Sequence, residues 1–512
     1  MFLSSFDTIS LRDQVIFWES DSNRSWLLPG IFLASLYAIL RCTYLLWFHP
    51  LSRFPGPRLA AISNTWYAYA WLSGKYPFIT AKAFEKYGDV VRIAPNEVIF
   101  ITPQAYHDIY STPKPGRPVF LKSDMHDEGK IHTSVFSERD PEKHRAIRRV
   151  LDGAFKVGML KQYQPYIDQH LAKFANKVEG FQKGFNLTEW LEWLYLDIGG
   201  SVTFNHDYDC MVEGRDDPLL ETMSDVGWWM TVRFVMLRFP LFYPLHVFLL
   251  PIKALLSYRN ILRSTDLAIT RRLERSKELQ DRDYLSVALD DEQFSQSRDF
   301  LTKNASIFVF GHVESSAVIT AAFYFLMNNP VSFQRLTREI RSEFSSSDSI
   351  TDEALRQFPW LDAVINETMR LHTNVPYGLP RISPGASVDG DYISKGCVVS
   401  SSAFATTHSS RYFAKPWEYR PERWLPSTHE YYEEVFSSDD RKAFRPFGLG
   451  ARKCIGQSVA MLMMRMVLAK LCFEFDLEMT NKGEVEWNRD LRLFSLWRKP
   501  TVRARFHRIT QR

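Results

Sequence analysis

Cysteine is scarce in this sequence, and no two cysteines have a paired spacing. The 512 residues contain five cysteines and no Cys-x-x-Cys element. Disulfide frameworks and zinc knuckles both need cysteines at paired spacings, so neither is indicated. The odd, sparse count is typical of a reducing compartment, and any metal chemistry would have to use one cysteine. The cysteines are Cys42, Cys210, Cys397, Cys454 and Cys472.

The chain also lacks a strong excess of charge of either sign. It has 63 lysines and arginines against 59 aspartates and glutamates, a net charge of +4, and no basic block. A nucleic-acid partner is therefore not indicated. No internal repeat or long linker divides the sequence. Its 45% hydrophobic and 24% charged residues are ordinary for a chain that buries a large core.

One long apolar run lies near the start of the chain. Residues 26–48 are nearly all apolar, with Pro29 near the beginning and Arg41 near the end. As a helix they would span about 34 Å at roughly 1.5 Å per residue, which is enough to cross a bilayer. A buried core helix and a cleaved signal peptide are the alternatives, although the polar, acid-containing residues before the run disfavour a signal peptide. We predict a short tail over 1–25 and a transmembrane anchor over 26–48.

A proline-rich segment follows the apolar run. Pro50, Pro55 and Pro57 forbid a continuous helix and favour a stiff, extended connection. We predict a hinge over 49–57 and one large body over 58–512. Helical periods dominate that body, and the few strand-like pieces are 90–93, 98–101 and 398–401, so we predict a mainly α fold with small β-sheets. The helix candidates are 141–156, 159–180, 259–280, 299–329, 331–344, 352–373 and 455–472.

The strongest local signal is a glycine-rich turn that carries a lone cysteine, at 447–456. Glycines let the backbone fold tightly and turn its N–H groups toward the sulfur of Cys454. The helix that begins after the turn adds a positive dipole, which lowers the pKa of a thiol. Arg452 adds a cation that can pair with an acidic group of a cofactor. A glycine loop with an incidental buried cysteine is the alternative interpretation.

Five positions of this turn agree with a known motif. Phe447, Gly450, Arg452, Cys454 and Gly456 form the pattern F-x-x-G-x-R-x-C-x-G, which resembles the haem-binding loop of the cytochrome P-450 family. The resemblance covers roughly residues 45 to 505 and implies a cytochrome P-450 fold preceded by one N-terminal transmembrane helix. It also implies haem b as cofactor, with Cys454 as the ligand of the iron and Phe447, Gly450 and Arg452 in the loop that binds the haem.

Two further motifs support the resemblance. Glu367 and Arg370 have the i, i+3 spacing that places them on one helix face, and taken alone they could be an ordinary surface ion pair. They resemble the family's E-x-x-R element, and Pro421-Glu422-Arg423-Trp424 resembles its P-E-R-F/W element. The resemblance implies a triad of Glu367, Arg370 and Arg423 that locks the segment before the cysteine loop and does not touch substrate.

Haem carries two propionates, so cations are expected elsewhere in the chain. His144 and Arg148 lie four residues apart, on one side of a predicted helix, and resemble the family's early W/H-x-x-x-R element. Arg381 occupies the place of another arginine that binds a propionate. The resemblance implies that His144, Arg148 and Arg381 contact the haem. A solvated basic face is the alternative, because Arg145 and Arg149 stand beside Arg148.

The predicted helix 299–329 departs from the family pattern at one position. A second membrane span is the alternative to a buried helix, but a histidine and a glutamate in its middle would be costly in lipid. The family pattern is A/G-G-x-D/E-T-T/S, and Gly311, Glu314 and Ser316 match it. Ser315 keeps the hydroxyl of the threonine that it replaces. The resemblance implies that Glu314 and Ser315 are the catalytic pair for proton delivery.

His312 stands where the family has its second glycine. An imidazole at this place would narrow the oxygen site and add a titratable group. Three interpretations stay open. His312 is a neutral core histidine that turns away from the iron, or it joins Glu314 and Ser315 in proton delivery. In the third, it redirects the enzyme from hydroxylation to desaturation, ring closure or rearrangement.

The function implied by the resemblance is that of a monooxygenase acting on a hydrophobic small molecule. Electrons would come from NADPH through NADPH–cytochrome P-450 reductase, with cytochrome b5 as an optional partner. The hinge and the motif spacing resemble microsomal fungal enzymes of secondary metabolism, which implies an endoplasmic reticulum anchor, a lumenal tail and a cytosolic catalytic domain. A haem-thiolate enzyme without net oxygen insertion and a non-catalytic haem-binding membrane protein are the alternatives.

Overall fold

A computed structural model describes residues 11–112, 118–126, 134–249, 252–275 and 282–509. The first ten residues of the predicted tail lie outside these ranges. Helices dominate the described chain, as the periodicity predicts. They are α1 Leu11–Thr43, α2 Arg58–Ile62, α3 Thr65–Leu72, α4 Tyr76–Tyr87, α5 Pro103–Tyr110, α6 Pro141–Leu151, α7 Val157–Val178, α8 Leu187–Phe204, α9 Cys210–Glu213, α10 Pro218–Met236, α11 Ile252–Glu274, α12 Tyr284–Leu289, α13 Glu292–Ser295, α14 Arg298–Asn328, α15 Pro330–Glu343, α16 Asp352–Leu355, α17 Pro359–Leu371, α18 Ala403–Thr407, α19 Gln457–Glu474 and α20 Trp487–Asp490.

The strands are short and form small sheets. They are β1 Val90–Ala94, β2 Glu97–Phe100, β3 Leu121–Lys122, β4 Phe185–Asn186, β5 Arg381–Ile382, β6 Ala386–Val388, β7 Asp391–Ile393, β8 Val398–Ser401, β9 Phe475–Met479, β10 Arg492–Phe494, β11 Leu496–Arg498 and β12 Arg503–Arg508. The largest sheet has the order β1-β2-β8-β5-β3, in which β2 and β8 are parallel and the other pairs antiparallel. A second sheet has the order β4-β12-β9, and β6–β7 and β10–β11 are hairpins. The fold is therefore mainly α with small β-sheets.

The apolar N-terminal run is helical and exposed. Helix α1 begins at Leu11, well before the predicted start of the anchor, and a π-helical turn extends it from Tyr44 to Phe48. Over Leu27–Phe48 only 6% of the most apolar stretch is buried. Apolar side chains without a protein partner need another apolar environment. This segment is long and apolar enough to serve as a membrane anchor.

The predicted hinge docks on the body instead of standing free. Leu51 and Phe54 are buried, and the Arg92 N–H in β1 donates to the Pro55 carbonyl at 2.8 Å. A Cβ added to Gly56 would lie 2.3 Å from the Arg92 carbonyl oxygen. Only glycine therefore lets the hinge approach β1 so closely. The segment fixes where α1 leaves the body.

Helix α14 runs through the protein interior. Two-thirds of its most apolar stretch, 67%, is buried within the protein, which favours the buried helix over a second membrane span. It packs along α8 and also contacts α11, α17 and α19. The predicted helix 352–373 is in fact two helices, because Phe358 leaves the helical region before Pro359. Helix α17 carries the triad residue Glu367, and α19 begins directly after the cysteine loop. Together with α14, these two helices frame the site.

Candidate haem-binding site

The cysteine loop is a tight turn that leads into α19. Gly448 and Gly450 adopt φ values of +78° and +72°, which favour glycine. A Cβ on Gly450 would lie 2.4 Å from the Tyr110 carbonyl oxygen, so the loop packs against the end of α5 only with glycine there. The Cys454 N–H donates to the Phe447 carbonyl at 2.7 Å, and the Phe447 ring packs against the core. These contacts fix the backbone on both sides of the cysteine.

The Cys454 thiol is accessible although the protein surrounds it. Its side chain is accessible, yet the surrounding protein raises the pKa of the thiol, an effect that the Gly456 N–H and the Arg148 guanidinium oppose. A Cβ on Gly456 would lie 4.0 Å from the Cys454 sulfur and 3.8 Å from the Phe155 ring. A sulfur that accepts a backbone N–H and has a cation nearby is suited to act as a thiolate ligand.

Basic side chains gather near Cys454. His144 and Arg381 are buried, and Lys122 lies directly across the β3–β5 ladder from Arg381. Burial and then, in decreasing order, the charges of Arg452, Lys122, Arg148 and Arg381 together lower the pKa of His144 to about 3. Burial and the charge of Arg381 lower the pKa of Arg452 to about 10, although Glu138 and Asp140 oppose the shift. We call His144, Arg381 and Arg452 the cation cluster.

The cation cluster is satisfied mainly by backbone carbonyls. The Arg452 guanidinium donates to the carbonyls of Glu138 at 2.6 Å and Arg139 at 2.9 Å. Arg381 donates from Nη1 to the Phe120 carbonyl at 3.3 Å, and its buried Nε has no partner. Among the described residues no carboxylate forms an ion pair with Arg381. A buried guanidinium without an acid is costly unless an anion arrives, so the cluster fits the propionates of a haem.

Arg148 contacts the backbone beside Cys454 and a carboxylate on the same side of its own helix. Its Nη1 donates to the Lys453 carbonyl at 2.6 Å, and its Nε lies 3.3 Å from the Asp152 carboxylate. It therefore ties α6 to the residue before Cys454, where its charge favours the thiolate. Contact between Arg148 and a propionate stays a prediction.

The face of α14 that carries Gly311 and Ser315 is open. Gly311 is exposed in the middle of a buried helix, and a Cβ added there would meet no atom within 4 Å. Ser315 Oγ donates to the Gly311 carbonyl at 3.0 Å and is itself accessible. Burial raises the pKa of Glu314 to about 7, an effect that Lys499 opposes and Glu192 strengthens. An acid that holds a proton near neutral pH thus lies one residue from an exposed hydroxyl.

His312 points to another side of the same helix. Its Nδ1 lies 2.8 Å from the Phe308 carbonyl, and its ring is 5.8 Å from that of Tyr284. A Cβ on Gly199 of α8 would lie 3.0 Å from the His312 Cβ. The absence of a side chain at Gly199 of α8 therefore leaves the space that the His312 side chain of α14 occupies. Burial lowers the pKa of His312 to about 4, so the neutral core interpretation is the one that these contacts favour.

The predicted triad is present and fully buried. Glu367 and Arg370 form a two-pronged pair with both N···O distances at 2.8 Å, and Arg423 Nε lies 3.1 Å from Glu367. Burial alone would raise the pKa of Glu367, but the two arginines and the Arg420 N–H more than offset it and lower the pKa. Arg370 also donates to the carbonyls of Thr407, Pro416 and Glu418. The triad therefore holds the meander 407–423.

One part of the site is not indicated by any sequence motif. A cavity of about 260 Å³ lies between α8, α10, α14 and the β10–β11 hairpin, and Glu314 reaches its wall. Lys499 and Glu192 also line it. These residues come from distant parts of the chain and form no local pattern, so only the folded structure brings them together.

Known proteins match this chain over nearly its whole length. The cytochrome P-450 family model matches residues 56–502. The cytochrome P-450 monooxygenase TwmD of Talaromyces wortmannii is 35% identical, over 92% of this chain and 94% of its own length. Cytochrome P-450 monooxygenase BOA3 of Botryotinia fuckeliana is 35% identical over 90% and 92%, and poxC of Penicillium oxalicum is 35% identical over 93% and 94%. With its thiol, its buried cations and its open helix face, this chain belongs to the cytochrome P-450 family of haem-thiolate oxidoreductases.

Proposed function

We propose that the protein is a membrane-anchored monooxygenase of fungal secondary metabolism that uses haem b. It would insert one atom of dioxygen into a hydrophobic small molecule and release the other as water, with electrons from NADPH. The observation that carries the proposal is the accessible Cys454 thiol together with the buried Arg381 guanidinium, whose Nε has no hydrogen-bond partner. The three fungal relatives described above, all of which carry monooxygenase in their names, support the reaction class.

Cys454 would hold the iron, and the cation cluster would hold the propionates. Arg452 and Arg381 can each donate to a carboxylate, and His144 can donate one N–H as a neutral ring. Phe447 and Gly450 shape the loop, and Arg148 anchors it through the Lys453 carbonyl. When bound, a haem with a thiolate ligand supplies the activation of dioxygen.

Glu314 and Ser315 of α14 would deliver protons to the reaction. With a pKa of about 7, the Glu314 carboxyl is partly protonated at neutral pH and can give and regain a proton. The Ser315 hydroxyl is exposed on the open face of α14 and can carry a hydrogen bond from there. Glu314→Gln should therefore lower product formed per NADPH consumed more than it lowers haem content.

The absorption spectrum of the purified protein, reduced under carbon monoxide, is the decisive first experiment. A strongly red-shifted Soret band is expected for the wild type and for His312→Gly, because the imidazole turns toward α8. Cys454→Ser should lose that band. If the wild type lacks the band and His312→Gly gains it, His312 blocks the site and the placement of its ring described above is wrong. If neither shows it, Cys454 is not the iron ligand.

Labelled dioxygen then separates the reaction types. Product that contains one labelled oxygen atom supports the monooxygenase. Oxidised product without label, formed at the expense of NADPH, would instead support desaturation, ring closure or rearrangement. NADPH consumption that stays at background with reductase and a confirmed ligand present would support a non-catalytic role.

The face outside the cysteine loop fits an acidic electron donor. Lys143, Arg149, Arg445 and Lys453 are exposed there, and Lys453 is adjacent to Cys454. We assign this face to NADPH–cytochrome P-450 reductase, with cytochrome b5 competing for it. Lys453→Glu should raise the reductase concentration needed for half-maximal reduction and weaken its salt dependence. Lys82→Glu, at an exposed position on α4, is the matched control. Equal behaviour of the two variants would contradict the assignment.

Residues 26–48 would anchor the protein in the endoplasmic reticulum membrane. The tail 1–25 would be lumenal, and the hinge 49–57 would join the anchor to a cytosolic catalytic domain, 58–512. Exposed apolar residues such as Phe32 and Trp47, which are 66% exposed, support the anchor. Protease added to intact microsomes should digest the catalytic domain. Protection of that domain would reverse the orientation, and release from the membrane by alkaline carbonate would contradict the anchor.

A further inference from the structure

The cavity behind Glu314 is polar on one wall and apolar on another. Phe494 and Leu496 of the β10–β11 hairpin and Leu220 and Met223 of α10 form the apolar wall. Its charged lining comes from α8, from α14, from the residues before α10 and from the end of the hairpin. The charged residues are Glu189, Glu192, Asp216, Glu314, Arg498 and Lys499. A space of about 260 Å³ with such walls is wide enough for several waters.

Lys499 occupies a fixed place between α8 and α14. Its Nζ lies 2.5 Å from Glu192 Oε1 and donates to Ser316 Oγ at 3.2 Å. Its side chain is only 8% exposed, so water does not screen its charge well. Ser316 is two residues beyond Glu314 on α14. Lys499 thus connects the helix that carries the catalytic acid to an acid on the neighbouring helix.

The charges around Glu314 act on it in opposite directions. After burial, which raises its pKa, Lys499 lowers that pKa and Glu192 raises it. Two further titratable groups face this region. The pKa of Tyr377 is raised by burial and by Glu314. The pKa of His372 is lowered to about 3 by burial and by Lys499, so both are neutral at pH 7.

The remaining charged residues of the cavity have other partners. Arg498 donates to Ser224 Oγ at 2.6 Å, and Asp216 accepts from the Trp193 indole at 2.6 Å. Burial raises the pKa of Glu189, and Asp216 and Glu192 raise it further. Lys499 is the one cation of the described cavity lining that acts on Glu314. Arg498, its neighbour in sequence, is therefore a matched control.

We propose that Lys499, held by Glu192 and Ser316, is a positioning residue that sets how readily Glu314 takes up a proton from the cavity water. This rests on the role proposed above for Glu314 in proton delivery. Each proton that leaves the carboxyl would be replaced by one from the cavity, so only O–H bonds break and form. Lys499 would not touch the substrate or the haem.

Infrared titration of the purified protein tests this without any turnover. The C=O band of the protonated Glu314 carboxyl is identified by its loss in Glu314→Gln, and its intensity is followed against pH. In Lys499→Met the band should persist to higher pH, with its midpoint raised by about one unit. In Glu192→Gln the midpoint should fall, because a negative neighbour is removed while Lys499 remains. Arg498→Met should leave the midpoint where it is in the wild type.

An unchanged midpoint in Lys499→Met, or an equal shift in Arg498→Met, would overturn the proposal. If Lys499→Met does not fold, Glu192→Gln decides, and a midpoint that does not fall overturns it. The role of Glu314 is judged separately, by product formed per NADPH in Glu314→Gln. If Glu314→Gln forms as much product per NADPH as the wild type, Glu314 has no catalytic role. The infrared shifts would still show whether Lys499 sets the pKa of Glu314.

Discussion

Two groups of arginines in this protein differ in whether a carboxylate neutralises them. Arg370 and Arg423 enclose the carboxylate of Glu367, and Arg423 has a second acid, Asp439. Arg381 and Arg452 form no ion pair among the described residues and rely on backbone carbonyls. All of these except the half-buried Arg452 are buried.

The difference indicates which group is complete by itself. Buried ion pairs with every donor satisfied keep a structure in one arrangement, whereas a buried cation without an acid carries a desolvation cost. This protein keeps such a cation, Arg381, in the part of the fold that also contains the accessible Cys454 thiol. The triad is therefore part of the framework, and the cation cluster fits the negative charge of a ligand, as proposed above.

Breaking the triad should have the largest effect. Glu367→Gln leaves Arg370 and Arg423 buried without their acid, so we expect a loss of about 3 to 5 kcal/mol in the free energy of unfolding. Urea unfolding followed by circular dichroism measures it. Glu418→Gln, which removes the exposed partner of Arg420, is the control and should change little.

The pH dependence of urea unfolding checks whether the ion pairs of Glu367 cause this loss of stability. The pKa of Glu367 is lowered in the folded protein, so its contribution is present above the ordinary carboxyl pKa and is lost as pH falls through the folded pKa. Glu367→Gln should remove this part of the acid destabilisation. An acid response identical to that of the wild type would show that the ion pairs do not stabilise the fold.

Replacing Arg381 should have effects of opposite sign in the two forms of the protein. Arg381→Met removes a buried cation that has an unpartnered Nε, so the haem-free protein should gain up to about 1 kcal/mol or stay unchanged. The haem-loaded protein should lose a propionate contact, with haem transfer to an acceptor protein faster by about tenfold. Unfolding of the haem-free form and the rate of haem transfer measure the two effects. Destabilisation of both forms alike would make Arg381 a framework residue, and the comparison would fail.

Sequence motifs predicted the parts of the site whose residues are close together in the chain. The cysteine loop, the Glu367–Arg370 pair and the long helix α14 all lie within local patterns, and the ion pairs of the triad form as predicted. Helix α8 was not predicted, because almost every one of its residues is buried and no polar stripe marks its period. The break before Pro359 could have been predicted, since the residue before proline avoids the helical region.

Pairings across the fold were beyond the reach of one sequence. His312 departs from the pattern of α14, and the space that it needs is supplied by Gly199, in a helix more than a hundred residues earlier. Glu192 of α8 and Lys499, just after β11, line the same cavity as Glu314. No local spacing relates these positions. The sequence alone therefore does not decide among the three interpretations of His312 and does not predict the cavity.

His144 offers the smallest and most selective test of the cation cluster. Its pKa falls from the ordinary 6.5 to about 3 because of burial and the neighbouring cations, so the unfolded chain binds a proton in this window that the folded protein does not. Stability should therefore decrease as pH falls below 6.5, by about 1 kcal/mol near pH 5.5 from this group. His144→Gln should reduce that decrease, as seen in urea midpoints of the haem-free protein. Arg381→Met should leave the decrease near pH 5.5 unchanged, because Arg381 makes the smallest of the four cationic contributions and the folded pKa of His144 should stay well below that pH. A decrease of the same size in His144→Gln and in the wild type would show that the folded protein does not lower the pKa of His144.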